Sequence, residues 1–485
     1  MSTTTQTFDV VVIGAGPVGE NVADRAVAGG LSAVIVESEL VGGECSYWAC
    51  DPSKGLLHPV HVHNELKAIP GLAKSASAPL DVDAVLAHRD RMASNWDDAP
   101  QVEWLNSAGI ELVRGVGRLA GPRAVTVATP DGRTVRLTAR HAVAVCTGSR
   151  AALPPLPNLE ELRPWTSREA TSAPAAPRRL AVLGAGVVAV EMATAWQALG
   201  SRVTLIAREA TLLPRVEPFA AELVAESLRE SGVDLRFGTT IAGAVRNAVD
   251  EVEITLSDGS TLIADELLLA TGRAPRTDDL GLESVGLKPG AWLPTDDLFT
   301  VKGVDGDWLY AVGDVNGRAL LTHQGKYQAR IAGSVIVDRA LQRGLDIRKW
   351  SRHVGTADLE AVPQVVFSDP EIASVGLTAA EAARAGRTVE IVDYQIGDVA
   401  GAFQYRPDYR GQARVLVDPA RNTIVGATFA GPGVAELLYS ATVAITGEVP
   451  LDRLWHAVPA FPTISEVWLR LLETHRDRAK EDSPS

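Results

Sequence analysis

The 485-residue sequence has only three cysteines, and none of its apolar runs approaches the length needed to cross a membrane. Three cysteines in so long a chain exclude the disulfide framework of a small secreted protein. Basic residues are also fewer than acidic ones, 46 against 60, which gives a net charge of −14. This balance argues against binding to nucleic acid or to an anionic membrane surface.

The start of the sequence lacks a basic segment followed by a signal-like apolar run, so we expect a cytoplasmic protein. In that compartment a disulfide is more typical of catalysis than of structure. The chain is too long for a single hydrophobic core, and we expect two to four domains.

What the sequence does contain is a strand–glycine–helix unit, "FDVVVIGAGPVGENVADRAVAGGLSAVIVE". Gly14, Gly16 and Gly19 follow an apolar strand, and Glu37 ends the next strand. Glycines at this spacing let the backbone approach a pyrophosphate at a helix N-terminus, and the acid accepts hydrogen bonds from ribose hydroxyls. The segment is therefore predicted to bind a dinucleotide.

The same unit recurs as "RRLAVLGAGVVAVEMATAWQALGSRVTLIARE", with Gly184 and Gly186 in the turn. Two such units in one chain indicate two dinucleotides and electron transfer from one to the other.

The two units differ at the position of the ribose-binding acid. Where the first unit has Glu37, the second has Ala207, followed by Arg208. An arginine in place of the acid favours a 2′-phosphate, and so NADPH over NADH. Arg215 is a second candidate for this phosphate; NADH stays the alternative.

Two of the three cysteines, Cys45 and Cys50, lie in "GGECSYWACDPSKGLL". By itself this stretch is compatible with a redox disulfide, a metal clip or two buried thiols. A zinc clip needs four ligands, and Cys146 lies apart in the "CTGS" strand, so we predict no metal site. Cys146 is predicted to be a small core residue, and the histidines of "HPVHVH" to lie on the surface.

From about residue 351, alternating apolar stretches such as "GQARVLVD" and "TIVGATFAG" predict antiparallel strands followed by helices. The predicted fold class is α/β, with two dinucleotide-binding (Rossmann-like) domains and a C-terminal α+β domain.

Seven short motifs occur in the order in which one enzyme family has them. They are the two glycine fingerprints, CxxxxC followed by PSK, "CTGS" at 146–149, "ATGRAP" at 270–275, "AVGD" at 311–314 and "FPTISE" at 461–466. On these motifs the chain resembles, over nearly its whole length, the flavin-dependent pyridine nucleotide-disulfide oxidoreductases. That family includes glutathione reductase, dihydrolipoamide dehydrogenase and mercuric reductase.

The resemblance implies an oxidoreductase with FAD in the first unit and NAD(P)H in the second. It also implies a homodimer whose active site is shared between the chains. The implied segments are an FAD-binding domain in 1–155 and 281–350, an NAD(P)H-binding domain in 156–280, a dimerisation domain in 351–475 and a flexible tail in 476–485.

The resemblance further assigns cofactor contacts. The first glycine turn and Glu37 would hold the diphosphate and ribose of FAD, Asp314 its ribityl chain, and the second glycine turn with Glu191 the nicotinamide nucleotide. Other implied contacts come from Gly43, Lys54, Gly117, Thr147, Gly148 and Gly272.

In this family hydride passes from the nicotinamide to the flavin, and the electrons then reach a disulfide. Carried over, Cys50 would be the thiol nearest the flavin and Cys45 the outer thiol that meets a small-molecule electron acceptor. Lys54 and Glu191 would form an ion pair beside the flavin. Thiolates carry out this chemistry, and a helix N-terminus or a nearby cation lowers a thiol pKa.

The C-terminal motif departs from the family at its key position. A histidine usually exchanges protons with the outer thiol there, but this chain has Phe461, while the glutamate that would orient the histidine is kept as Glu466. Losing an acid–base group costs about a hundred- to ten-thousand-fold in the proton-transfer step. His323 is a better replacement candidate than His456.

Several explanations of Phe461 stay open. Another histidine supplies the proton, or the acceptor needs none from the enzyme, as a metal ion or a quinone would not. Alternatively the site excludes protons, which resembles the carbon–sulfur cleaving and carboxylating 2-ketopropyl-coenzyme M oxidoreductase/carboxylase. A non-enzymatic alternative is an FAD-bound redox sensor.

The segment around the cysteines departs as well. Glu44 stands where the family has threonine, and Tyr47 and Trp48 stand where it has asparagine or small aliphatic residues. These aromatic side chains either narrow the acceptor channel or pack beneath the flavin.

Overall fold

The computed structural model describes residues 3–481. The backbone forms two compact units. The first comprises the chain up to Pro52, Asp90–Ala152 and Arg273–Leu359, and the second comprises Ser53–Arg89, Leu153–Gly272 and the chain from Glu360. The sequence places domain borders after 155, 280 and 350, close to those of the units, but it assigns residues 53–89 to the FAD-binding domain.

The strands follow one another without an intervening α-helix over residues 111–151, 234–275 and 412–431. They are β1 (Thr3–Ile13), β2 (Ala33–Glu37), β3 (Glu111–Arg114), β4 (Val116–Leu119), β5 (Ala124–Ala128), β6 (Thr134–Val145), β7 (Ser149–Ala151), β8 (Arg179–Leu183), β9 (Arg202–Ile206), β10 (Asp234–Arg236), β11 (Ile241–Arg246), β12 (Val252–Leu256), β13 (Thr261–Ala264), β14 (Glu266–Leu269), β15 (Arg273–Pro275), β16 (Leu309–Ala311), β17 (Pro363–Val366), β18 (Glu371–Gly376), β19 (Glu390–Gln395), β20 (Gln412–Asp418) and β21 (Thr423–Gly431).

The helices range from single turns to 19 residues. They are α1 (Pro17–Ala28), α2 (Gly43–Trp48), α3 (Cys50–Ala68), α4 (Val82–Met92), α5 (Ala99–Ser107), α6 (Leu159–Leu162), α7 (Ser167–Ser172), α8 (Val187–Ala198), α9 (Pro218–Glu230), α10 (Thr322–Ala340), α11 (Ala357–Glu360), α12 (Ala379–Arg384), α13 (Ala400–Tyr405), α14 (Leu438–Thr446), α15 (Leu451–Leu454) and α16 (Val467–Glu481).

The first unit is built on a sheet of order β3-β2-β1-β6-β5-β4, with β16 added beside β6. Its central strand β1 pairs in parallel with both β2 and β6. The run Val10–Val12 is fully buried, as expected for a parallel strand covered on both faces. Helices α1 and α10 pack together against this sheet. The predicted first dinucleotide-binding unit is present.

The second unit contains a parallel sheet of order β10-β9-β8-β14 and an antiparallel sheet of order β17-β18-β21-β20-β19. The first of these carries the second glycine turn between β8 and α8. In the other sheet, α14 packs on β21 and α16 on β19. The antiparallel strands predicted after residue 351 are confirmed.

Helix α16 runs to Glu481, so the predicted flexible tail, 476–485, begins inside a helix. Residues 482–485 lie outside the described part of the chain. No helix within residues 3–481 is long and apolar enough to cross a membrane.

Candidate functional site

The turn between β1 and α1 has the shape of a diphosphate cradle. Gly14 has φ +104°, and a Cβ atom there would lie 2.4 Å from the carbonyl oxygen of Cys146. At Gly16 a Cβ would meet nothing within 4 Å, whereas at Gly19 it would lie 1.9 Å from the Gly14 oxygen. Only glycine allows this turn, and the space beside Gly16 at the start of α1 is open to a phosphate.

Glu37 ends β2, beside the first glycine turn. Its two carboxylate oxygens accept hydrogen bonds from the backbone N–H of Ala15, at 2.7 Å, and of Glu39, at 2.8 Å. Gly43 begins α2, and a Cβ there would lie 2.9 Å from the Gly16 Cα. Gly117 is buried in β4, a position it can occupy because it has no side chain.

The opposite wall of this cradle contains an unpartnered polar group. The Thr147 hydroxyl is buried and has no hydrogen-bond partner, and Gly148 beside it has φ +70° with open space. Asp314 accepts a hydrogen bond from the Ser149 hydroxyl at 2.5 Å, and burial raises the pKa of Asp314. The open glycines and the orphaned hydroxyl fit the polar groups of FAD.

The second glycine turn repeats the pattern. Gly184 has φ +141° and a Cβ there would lie 2.3 Å from the Ala270 oxygen, while Gly186 and Gly272 face open space. Arg208 and Arg215 are exposed in the segment after β9. The Arg208 guanidinium lies 2.9 Å from Glu209, an acid that the sequence comparison of the two units overlooked.

Cys45 and Cys50 lie in consecutive helices. Ala49 between them has φ −138° and ψ −94°, which ends α2 and lets α3 begin at Cys50. The Cys50 Sγ lies 3.3 Å from the Thr322 Oγ1. Thr322 was missed by the sequence analysis, although it adjoins His323, which is exposed on α10.

The two thiols are not equivalent. A hydrogen bond to the Cys50 sulfur, together with burial, raises the pKa of Cys45 above its usual range. The Cys45 thiol therefore stays protonated to a higher pH than a free thiol. The Thr322 hydroxyl is close enough to stabilise the Cys50 thiolate.

The two aromatic side chains between the cysteines differ in how far they are buried. Tyr47 is fully buried, and its hydroxyl donates to the Val41 carbonyl at 2.9 Å and lies 3.1 Å from the Gln101 side-chain oxygen. Trp48 is half-buried and meets the Tyr47 ring edge-on at 5.7 Å. Tyr47 therefore packs in the core, and only Trp48 has surface toward solvent.

In the second unit Lys54 and Glu191 form the expected ion pair, with 3.2 Å between Nζ and Oε2. Glu191 is buried, and its other oxygen accepts a hydrogen bond from the Phe367 N–H at 3.0 Å. The Lys54 ammonium also lies 4.5 Å from the Phe367 ring centroid. These contacts fix the orientation of both charged groups.

Phe461 precedes a cis proline and is 75% exposed. Glu466 is buried, and its Oε1 accepts a hydrogen bond from Arg470 at 2.6 Å. Arg470 also donates to Glu473 at 2.9 Å. One Glu466 oxygen is thus paired with an arginine four residues further along the chain, while the buried Oε2 has no hydrogen-bond partner.

The remaining residues that could act as metal ligands are the histidines that follow the two cysteines and the third cysteine, Cys146. His58 is exposed, and His61 and His63 are half-buried. Cys146 is buried among apolar side chains, as predicted. Within residues 3–481 no three His, Cys, Asp or Glu side chains come together to hold a metal ion.

Comparison with known proteins gives two family matches. Residues 8–330 match the model of pyridine nucleotide-disulphide oxidoreductases, and residues 362–471 match the dimerisation domain of the same enzymes. The chain is 30% identical over 476 residues to dihydrolipoyl dehydrogenase 3 of Pseudomonas aeruginosa, covering 95% of this chain and 96% of that protein. It is 29% identical to the mercuric reductase of Staphylococcus aureus, covering 95% of this chain and 81% of that one.

Solved structures show the same fold. LpdA from Mycobacterium tuberculosis superposes with a TM-score of 0.81 at 25% identity, covering 97% of this chain and 99% of that one. The HOCl-induced flavoprotein disulfide reductase RclA from Escherichia coli, in a Cu(II) complex, gives a TM-score of 0.81 at 22% identity, covering 96% and 99%.

Proposed function

The chain belongs to the pyridine nucleotide-disulphide oxidoreductase family, and we propose that it passes electrons from NADPH through FAD and the Cys45–Cys50 pair to an acceptor that takes no proton from the enzyme. Enzymes of this family depend on FAD and use NAD(P)H as the electron donor, and the dimerisation domain indicates a homodimer. The domain borders and residue roles carried over from the motifs are part of this proposal.

The reductive half of the reaction uses groups whose arrangement fits the proposal. Bound FAD would accept a hydride and pass two electrons on to the cysteines. The Lys54 ammonium is paired with the Glu191 carboxylate, and Lys54 lies one turn along α3 from Cys50. Thr322 supports the Cys50 thiolate that forms when the disulfide opens.

The choice of acceptor rests on Phe461, which stands where the family has its acid–base histidine, and a raised pKa of the Cys45 thiol supports it. Thiol–disulfide exchange needs the Cys45 thiolate as nucleophile, and the leaving alkyl thiolate then needs a proton. Phe461 of the partner subunit provides neither a base nor an acid. Exchange with an alkyl disulfide is therefore slow at both steps.

A metal ion needs neither nucleophilic attack by Cys45 on a disulfide nor a proton for a leaving thiolate. Oxidation of the dithiol forms the Cys45–Cys50 bond, passes one electron to each of two Cu(II) ions, which become Cu(I), and releases two protons to water. Because RclA is described in a Cu(II) complex, Cu(II) is the first metal to test, and a quinone is the second class of acceptor.

The test compares acceptors in wild-type holoenzyme under anaerobic conditions near neutral pH. We expect kcat/KM for a Cu(II) chelate to exceed that for glutathione disulfide by about a hundred-fold, the lower end of the usual contribution of an acid–base group. An aromatic disulfide whose leaving thiolate needs no proton serves as the control and should react faster than glutathione disulfide. Equal rates for the three acceptors would contradict the proposal.

Phe461 also favours a second candidate, cleavage of a carbon–sulfur bond with carboxylation of the product, because a proton-free site protects a carbanion. The retained and buried Glu466 has no place in that mechanism. Incorporation of labelled bicarbonate into a thioether-derived product would support this candidate over electron transfer to a metal.

The preference for NADPH is tested by Arg208→Ala. Removing the guanidinium should lower kcat/KM for NADPH about ten- to fifty-fold and leave NADH unchanged, because Arg208 would contact only the 2′-phosphate. Its surface ion pair with Glu209 contributes about 0–1 kcal/mol, too little to prevent phosphate binding.

Arg178→Ala is the matched control for this substitution. Arg178 is as exposed as Arg208, 82% against 83%, and its nearest carboxylate belongs to Asp265. Equal losses for NADPH and NADH in the Arg208 variant, or no loss at all, would overturn the assignment of NADPH.

A further inference from the structure

The first turn of α10 carries the hydroxyl that contacts the cysteine pair. Thr322 is the first residue of this helix, and its Oγ1 lies 3.3 Å from the Cys50 Sγ. The N-terminal N–H groups of a helix need hydrogen-bond acceptors, but the residue at the capping position is Leu321, whose side chain cannot accept a hydrogen bond. The position of the Thr322 hydroxyl therefore depends on other contacts that hold this turn.

A buried carboxylate from α11 contacts the same turn. The Asp358 Oδ1 accepts a hydrogen bond from the Gln324 side-chain amide at 2.8 Å, and Gln324 lies two residues after Thr322. Both side chains are buried. A negative charge at a helix N-terminus also compensates the partial positive charge of the first N–H groups. Asp358 thus stabilises the end of α10 that Leu321 cannot cap.

Asp358 is anchored on its other side by an arginine. Its Oδ2 lies 3.5 Å from the Arg318 Nε, close enough for an ion pair. Arg318 in turn donates a hydrogen bond to the Asp297 carboxylate at 2.7 Å. The contacts therefore run from a fixed guanidinium through Asp358 and Gln324 to the turn that carries Thr322.

Asp358 is ionised at neutral pH in spite of its burial. Loss of hydration raises its pKa to about 6, while Arg318 and hydrogen bonds from Gln324 and Gln328 oppose this rise and the charge of Asp297 adds to it. Above about pH 6 the hydrogen bond from Gln324 is therefore charge-assisted, and such bonds are roughly twice as strong as neutral ones.

We infer that Asp358 is a positioning residue, which holds the first turn of α10 so that the Thr322 hydroxyl stays within hydrogen-bonding distance of the Cys50 sulfur. A hydrogen bond from this hydroxyl favours the thiolate form of Cys50. The inference rests on the proposed function, in which electrons pass through the Cys45–Cys50 pair, and adds to it a residue that acts on the pair through Thr322.

The test measures the pKa of Cys50 in FAD-loaded dimer that carries Cys45→Ala, so that one thiol of the pair remains. Alkylation of Cys50 by iodoacetamide is followed by mass spectrometry between about pH 5 and pH 10, since the thiolate is the reactive form. The variants Thr322→Val, Asp358→Ala, Asp358→Asn and Gln324→Met are made in this background. Neither NADPH nor an acceptor is present, so failure of the proposed acceptor chemistry would leave the outcome unaffected.

The variants are expected to lower the fraction of Cys50 thiolate at neutral pH to different extents. Thr322→Val should lower it about tenfold, because the hydrogen bond to the thiolate is lost. Asp358→Ala and Gln324→Met break the same contact from opposite sides and should each lower it about fivefold. Asp358→Asn should lower it less than about threefold, because asparagine still accepts the hydrogen bond from Gln324.

A double variant separates positioning from a direct effect of the Asp358 charge. If Asp358 acts through Thr322, Asp358→Ala should change the thiolate fraction less than about twofold once Thr322 is valine. Independent, multiplied losses in the double variant would overturn the inference, as would an unchanged Cys50 pKa in Thr322→Val or in both Asp358→Ala and Gln324→Met. A general loosening of α10 would change the alkylation rate at every pH without moving the pKa, and that result would also contradict the inference.

Tyr327→Phe is the matched control. Tyr327 also joins α10 to α11, because its hydroxyl accepts a hydrogen bond from the Ala357 N–H at 3.2 Å, but it lies beyond the first turn. The thiolate fraction should therefore stay within about twofold of the parent variant. FAD content and melting temperature are measured throughout. A loss in Tyr327→Phe as large as that in Asp358→Ala would mean that any contact between the two helices has this effect, and would overturn the role assigned to Asp358.

Discussion

Phe461→His combined with Arg470→Leu is expected to raise kcat/KM for alkyl disulfides about a hundred-fold, whereas Phe461→His alone should raise it less than about tenfold. The double variant places an imidazole beside a buried carboxylate that is no longer paired with arginine. In the dimer that imidazole would exchange protons with Cys45 of the partner subunit. In the single variant this support is weaker, because Arg470 still binds one of the two Glu466 oxygens.

The reason lies in the ionisation of the introduced imidazole. A free Glu466 would raise its pKa and fix one tautomer, which makes it an effective acid–base group near neutral pH. A neighbouring Arg470 cation would oppose the imidazolium and lower its pKa. The imidazole at position 461 is therefore expected to be a much better acid–base group when Arg470 has been replaced by leucine than when Arg470 is present.

The measurement is kcat/KM for glutathione disulfide across pH, with NADPH saturating. Arg470→Leu alone is the first control and should leave activity near wild type. Arg476→Leu is the second, since Arg476 lies on the same helix but stacks over Trp455 at 4.0 Å. If the single Phe461→His variant matches the double variant, Arg470 does not withhold Glu466 from acid–base chemistry.

Cys45→Ala or Cys50→Ala is expected to lower turnover with any acceptor by at least about a thousand-fold. Either change removes the disulfide that carries electrons from the flavin to the acceptor. Reduction of the flavin by NADPH should stay within about threefold of wild type in both. The charge-transfer absorbance between thiolate and flavin should disappear in Cys50→Ala and persist in Cys45→Ala, because the family resemblance implies that Cys50 is the thiol nearest the flavin.

Stopped-flow spectra give the flavin reduction rate, and anaerobic steady-state assays give turnover. Cys146→Ala is the control, because that thiol is buried away from the pair and has no redox role in this account. Retained turnover with Cu(II) in Cys45→Ala would mean that electrons leave the flavin by another route.

The fold and the reductive half of the site could be predicted from the sequence because their signals are local. Glycine turns, the CxxxxC motif and strands of buried apolar residues each lie within a short stretch, and the comparisons confirm the family. The Lys54–Glu191 pair joins distant segments, and only the family resemblance made it predictable. The sequence placed Tyr47 beside the thiols and left two positions open for its ring, in the acceptor channel or beneath the flavin. In the structure the side chain is buried and its hydroxyl donates to the Val41 carbonyl.

The sequence analysis did not predict three charged side chains that form ion pairs with candidate site residues. Arg470 compensates Glu466 within one helical turn, and the spacing alone would have suggested it. Arg276 pairs with Glu44 across the fold, and no spacing rule connects positions so far apart. Glu209 was overlooked because only the aligned position, Ala207, was compared with Glu37.

The most direct test of the account is the pH dependence of two acceptors in wild-type holoenzyme. Between about pH 6 and pH 9, turnover of glutathione disulfide should rise about tenfold per pH unit, since the fraction of Cys45 thiolate grows in that proportion below its raised pKa. Turnover of a Cu(II) chelate should rise much less steeply with pH, because a metal ion needs no attack by the Cys45 thiolate on a disulfide. A flat profile for glutathione disulfide, with turnover equal to that of Cu(II) at neutral pH, would contradict the account and reveal a proton donor other than the histidine that Phe461 replaces.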